Sequence, residues 1–232
     1  MGVKITRSNR KQAFLSQKSA PERVGEWVEN NSRAAVGAGV AIVLAALLVG
    51  GFVVHERSKD ARALAEYGAI ASRIPGDTAG SGAAWKTVLP ELSGFIEKHA
   101  DSPATLNAKM ELARGYFATK NYAQAAQAGE SALKIVSANS SVKPLILYQL
   151  GYSYESAGKP DEAAKTFMAL KKVGAPALER DADWNLGMIF QAKKNFSKAA
   201  VMYELAYRAP GDYPSAPQIE ERLSAIKSVR GK

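Results

Sequence analysis

Residues 150–170, LGYSYESAGKPDEAAKTFMAL, read as two short helices joined by one turn. Leu150, Gly151 and Tyr154 fall on one face of a helix. Gly158-Lys159-Pro160 interrupts it, and Asp161-Glu162 are acids in the first turn of the next. Ala163, Phe167 and Leu170 then return at helical spacing. The segment predicts an antiparallel helical hairpin in which small residues let the two helices press close.

The same arrangement stands on either side. Leu112-Ala113, Tyr116, Tyr122, Ala125 and Ala132 precede it; Leu186-Gly187, Phe190, Phe196, Ala199, Tyr203 and Ala206 follow. Counted from the leading Leu, a small residue comes at +1, an aromatic at +4, an Ala at +13 and a packing residue at +20 in all three. This pattern resembles the tetratricopeptide repeat, whose period is about 34 residues. Here the leading residues are 38 and 36 apart, so the spacing predicts extra residues in the loops at 137–142 and 173–177. Two departures from the repeat stand out. The position three before the leading Leu is Lys109, Leu147 or Asp183, and Gly129 replaces the aromatic at +17 in the first copy.

Outward from the repeats, residues 55–100 read as a stalk and a degenerate capping hairpin. Its first helix is expected over 58–74, with Leu64, Tyr67 and Ile70, continuing the apolar stretch before it because no linker separates Val54 from Ser58; its second is expected over 85–100, with Val88, Leu92, Phe95 and His99 on one side. Residues 101–214 hold the three repeats. Residues 215–232, with Ile219, Leu223 and Ile226, form a closing helix and tail.

Farther toward the N-terminus, AAVGAGVAIVLAALLVGGFVV at 34–54 has no charge over twenty-one residues. As a helix it covers about 32 Å, the thickness of a bilayer's hydrocarbon core. A cleaved secretory signal has a shorter apolar region behind a brief leader, and a core helix of this length would carry polar residues, so the stretch reads as an uncleaved membrane span. Gly37, Ala41 and Ala45 recur every fourth residue, a small-residue strip suited to lateral helix pairing. Residues 21–33 read as an amphipathic juxtamembrane helix with Val24, Trp27 and Val28 on one face; Trp27 and Arg33 are its membrane-interface residues. Residues 1–20 are a flexible basic tail. Its Gly2 and Thr6 match a myristoylation start that a span makes redundant.

The chain has a net charge of +9 and no cysteine, which excludes an anchor through a lipid-modified cysteine. Residues 1–33 carry seven basic and three acidic residues; the remaining excess is spread over a domain with 19 acids, an ordinary solvated surface that does not indicate nucleic-acid binding. Within twenty residues of the span, three basic residues precede it and four follow, so local charge sets the orientation weakly.

No catalytic or metal-binding constellation is visible, and neither an enzyme nor a cofactor is expected. His55 and His99 are far apart, and His99 reads as a dipole partner at a helix C-terminus; Asp101, Asp161-Glu162, Asp181 and Asp183 read as caps and first-turn acids. A solenoid of helical hairpins instead offers a groove lined by the first helix of each pair. The positions two before, two after and five after the leading Leu are expected to face it. These are Met110, Arg114 and Phe117 in the first repeat, Tyr148, Tyr152 and Glu155 in the second, and Trp184, Met188 and Gln191 in the third. Adaptable Met and flat aromatics suit loosely specified apolar polypeptide segments. The alternative is that some of these side chains are inter-repeat core.

The fold class expected is all-α: one transmembrane helix, then a tetratricopeptide-like solenoid with a capping helix. The layout of basic tail, amphipathic helix ending in Trp27-Val28-Glu29-Asn30, single span and repeat domain resembles the YfgM-type ancillary translocon subunits. That resemblance implies a bacterial inner-membrane protein with a cytoplasmic N-terminus and a periplasmic repeat domain. Its implied partners are the Sec translocon, periplasmic chaperones or nascent envelope proteins. The function implied is a chaperone-like accessory to translocation or envelope protein maturation; the alternative is a structural adaptor of a fixed division or secretion complex.

Overall fold

The computed structural model describes residues 19–76 and 82–230. Residues 1–18 of the basic tail expected over 1–20, residues 77–81 and the last two residues lie outside them. The described residues form ten α-helices and no strand. Contacts divide the chain into two units, 1–59 and 60–232.

The first unit holds α1 (Ala20–Asn30) and most of α2 (Ser32–Ala71). Pro at the first turn suits the start of α1, and the Ser19 amide donates to the Glu22 carboxylate at 2.8 Å, satisfying one donor that a helix start leaves open. Val24, Trp27 and Val28 are all exposed. Helix α2 runs forty residues without a break, so the helix expected over 58–74 is one with the apolar stretch and ends at Ala71. Its most apolar window has a mean hydropathy of 2.5 and no buried residue. It is long and apolar enough to cross a membrane.

The second unit begins in the last three turns of α2, which pair with α3 (Gly82–Lys98). Ala63 and Ile70 meet Trp85, Val88, Leu92 and Phe95 in a first core cluster that also takes in Ala104 and Ala108 of α4 (Ala104–Ala118). Helix α4 pairs with α5 (Tyr122–Ile135), α6 (Lys143–Ser156) with α7 (Pro160–Val173), and α8 (Pro176–Ala192) with α9 (Phe196–Arg208). These are the three hairpins the spacing predicts. Helix α10 (Ala216–Arg230) closes the stack by burying Ile219 and Ile226 against Trp184 and Tyr203.

The small residues do what close approach requires. A Cβ on Gly151 would stand 2.6 Å from the Phe167 ring, and one on Gly187 would stand 2.5 Å from the Tyr203 ring. Gly129 repeats the device between repeats, since a Cβ there would meet Leu150 at 3.3 Å. The three intra-hairpin turns share one geometry. Lys120, Gly158 and Lys194 take φ of 63°, 72° and 58°, and the next amide returns to the carbonyl of Tyr116, Tyr154 or Phe190 at 2.8 Å in each. This is the left-handed exit that saturates the last carbonyls of a helix.

Three expectations need correction. The extra residues of the 36-residue interval lie in α8 itself, which has 17 residues; only Gly174 and Ala175 separate it from α7. Asp181 and Asp183 are therefore not first-turn acids. They fall in the second turn of α8, and both are buried. His99 is also more than a dipole partner, since its Nε2 lies 2.9 Å from Glu66 on α2 and its ring packs on Phe95.

Candidate functional site

The first helices of the three hairpins carry the nine residues that spacing assigns to a groove, and the structure places them in three different settings. On α4, Met110, Arg114 and Phe117 are half-buried. Arg114 pairs with Glu111 at 2.7 Å and lies over the Trp85 ring at 4.9 Å, while Phe117 meets Tyr122 edge-on. These contacts lie within or next to the first hairpin.

On α6 the setting is polar. The Tyr148 and Tyr152 hydroxyls both donate to the Asp181 carboxylate of α8, Tyr152 at 2.7–2.8 Å. Asn185, one turn on from Asp181, donates its amide to the Asp181 carboxylate at 3.0 Å and to the Tyr152 hydroxyl at 2.8 Å. Asp181 is 8% exposed and Asn185 1%. The buried carboxylate thus has three side-chain donors, which offsets the cost of removing it from water. Burial and the hydrogen bond to Asp181 push the Tyr148 phenol up to about 12, and the same causes raise Tyr152 further. Glu155, the third residue of this set, is half-buried; burial first and Asp181 second raise its carboxyl above the ordinary range.

On α8 the three residues part company. Trp184 is 8% exposed and packs on Tyr203 at a centroid distance of 5.2 Å, with Arg222 of α10 at 5.9 Å from its ring. It belongs to the core between α8, α9 and α10, because α10 covers it. Met188 is half-buried against the same cluster, and Gln191 accepts the Tyr203 hydroxyl at 2.8 Å. Of the two residues expected at a membrane interface, Trp27 is half exposed on α1 and Arg33 is exposed at the start of α2.

Three charged residues on α8 are buried where the sequence suggested surface: Asp181 and Asp183, expected as caps or first-turn acids, and Arg180, which the spacing did not single out. Asp183 takes the position of a core residue, 3% exposed, and is held by Lys171 of α7. Burial raises its carboxyl more than Lys171 lowers it. Arg180 is 7% exposed and donates to the carbonyls of Ala209 and Pro214, both at 2.8 Å, which fixes the connection leading into α10. Asp181 is the third. Among the described residues no group of three or more His, Asp or Glu is arranged to hold a metal ion.

The profile of a family described as "Tetratricopeptide repeat-like domain" matches residues 26–228. No curated protein matches the chain. Among solved structures, it is similar to a putative kinesin light chain of Podosopora anserina with nearly identical tetratricopeptide-like repeats, at 15% identity and a TM-score of 0.54, over 74% of this chain and 88% of that one. The Q17M variant of the same protein aligns with a TM-score of 0.55 at 14% identity, over the same shares. At such identity the likeness speaks for the fold.

Proposed function

We propose that this chain, which belongs to the tetratricopeptide repeat-like domain family, is a protein-binding module held at a bacterial inner membrane by α2, with its repeats in the periplasm. Such repeats are generally protein-interaction scaffolds rather than enzymes. The observation that carries the reading is the joining of that scaffold to a helix whose uncharged stretch, residues 34–54, leaves its apolar side chains bare. Val36, Leu44, Leu48 and Phe52 are 55–75% exposed, a state that a bilayer accepts and water penalises. Trp27 and Arg33 would then lie at headgroup level.

The partners are segments of nascent or maturing envelope proteins, met close to the bilayer, in the manner of the YfgM-type accessories to the Sec translocon that the layout resembles. Met110, Phe117, Tyr148, Tyr152 and Met188 are half-buried and offer adaptable apolar and aromatic surface to such segments. Arg114, Glu155 and Gln191 supply polar edges.

Crosslinking tests this in the full chain in its membrane. A photoreactive residue at Tyr148 or Met188 is expected to capture many different polypeptides. One discrete product would replace the chaperone-like reading with a fixed adaptor, and no product would remove protein binding from this face. A reporter that fluoresces only in the cytoplasm, fused after Lys232, is expected to stay dark; a bright signal would reverse the orientation.

A further inference from the structure

Helix α8 has a second lined face. At 100° per residue, Leu186 and Phe190 project from roughly the opposite side of α8 to Trp184, Met188 and Gln191. They form the floor of a trough of about 550 Å³, within the range of about 300–1,000 Å³ typical of ligand clefts. Met168 of α7 and Val201 and Met202 of α9 form its walls. Met168 is 47% exposed and Val201 51%, so both walls are open to solvent. A second cavity shares Met168, Phe190 and Lys198 and extends the trough toward Asp161 at the start of α7.

The rim is cationic. Lys171 and Lys198 line the first cavity, and Lys165, Lys193 and Lys198 the second, with Asp161 the one acid in either lining. Lys193 is engaged by Asp161 and Lys171 by Asp183, while the Lys198 ammonium lies 5.5 Å from the Phe190 ring. An apolar floor ringed by lysines matches a partner with apolar side chains on one face and carboxylates beside them. From Asp161 to Lys171 the trough follows α7 for about 15 Å, or about three helical turns. The described residues hold no strand, so an extended segment finds no sheet edge to join.

The geometry points to a docking site on α7, α8 and α9 for a short amphipathic helix of a protein partner, with Leu- or Phe-type anchors flanked by Asp and Glu. This site is separate from the α4, α6 and α8 face carrying Tyr148 and Met188, so failure at one leaves the other standing.

The test uses the full chain in nanodiscs of uncharged lipid, with empty nanodiscs as the reference. The probes are two fluorescein-labelled peptides of about three to four turns. Both have Leu at every third or fourth position; the polar face is all Glu in one and all Lys in the other. The Glu peptide is expected to bind, the Lys peptide about tenfold more weakly or worse, and Val201→Glu to lower affinity for the Glu peptide about tenfold. Converting both Lys165 and Lys198 to Glu is expected to reverse the preference, while Tyr148→Ala leaves it unchanged. Should Val201→Glu not fold, as judged by its circular dichroism melt, Met168→Glu on the opposite wall serves in its place. Equal binding of the two peptides, binding of neither, or an unchanged affinity in the folded wall variant would overturn the proposal.

Discussion

The Tyr152 hydroxyl lies 2.8 and 2.7 Å from the two carboxylate oxygens of Asp181, joining the first helix of one repeat to the first helix of the next across 29 residues of chain. Tyr148 and Asn185 complete the set of donors. A repeat stack is held by such nearest-neighbour contacts, so the strength of this one should be measurable in the whole domain. Asp181→Asn is expected to cost about 2 kcal/mol and Tyr152→Phe about 1 kcal/mol, read by urea unfolding. The double variant should cost less than the two combined, because both changes break the same network. Full additivity would show that the pair does not couple the repeats.

Glu155 gives the same region a pH dependence of definite sign. Its folded carboxyl binds a proton more tightly than the ordinary value of 4.5 because burial and Asp181 disfavour its charge. The folded chain therefore gains stability from it at acidic pH and loses that gain as pH rises through the raised value. Glu155→Gln, which cannot ionise, is expected to melt above the parent chain at about pH 7 and level with it below about pH 4. A constant difference across that range would count against the assignment.

Two glycines to alanine should move stability in opposite directions. Gly151→Ala drives a methyl to 2.6 Å from Phe167, which is fully buried and has no room to yield, and should cost about 1–3 kcal/mol. Gly94→Ala, on an exposed face of α3 with nothing within 4 Å, should add about 0.5–1 kcal/mol through helix propensity alone. Thermal melts of the two variants check the pair.

The hairpin turns allow a third comparison. Lys194 adopts a φ of 58° where the equivalent residue of the second repeat is Gly158 at 72°. Left-handed backbone costs a residue with a Cβ about 1 kcal/mol, so Lys194→Gly is expected to raise the melting temperature and Gly158→Ala to lower it. Each kcal/mol is about 2–4 °C for a domain of this size.

What the sequence by itself determined is the list of helices and their pairing. The small residue beside each leading Leu, the aromatic at +4 and the Ala at +13 are written in one chain segment and act within one hairpin. Gly151 against Phe167 is therefore readable without coordinates. The uncharged run at 34–54 is readable for the same reason, because length and polarity are local properties.

Burial of the α8 charges is not local. Asp181 and Asp183 look like surface acids until Tyr148 and Tyr152 of α6 and Lys171 of α7 are brought against them, and Arg180 like a surface base until the carbonyls of Ala209 and Pro214 meet it. Trp184 shares the spacing of a groove residue, yet Ile219 and Ile226 of α10 close over its cluster. Periodicity records which side of a helix is apolar; only the packed neighbours decide which polar groups find partners and which faces stay open.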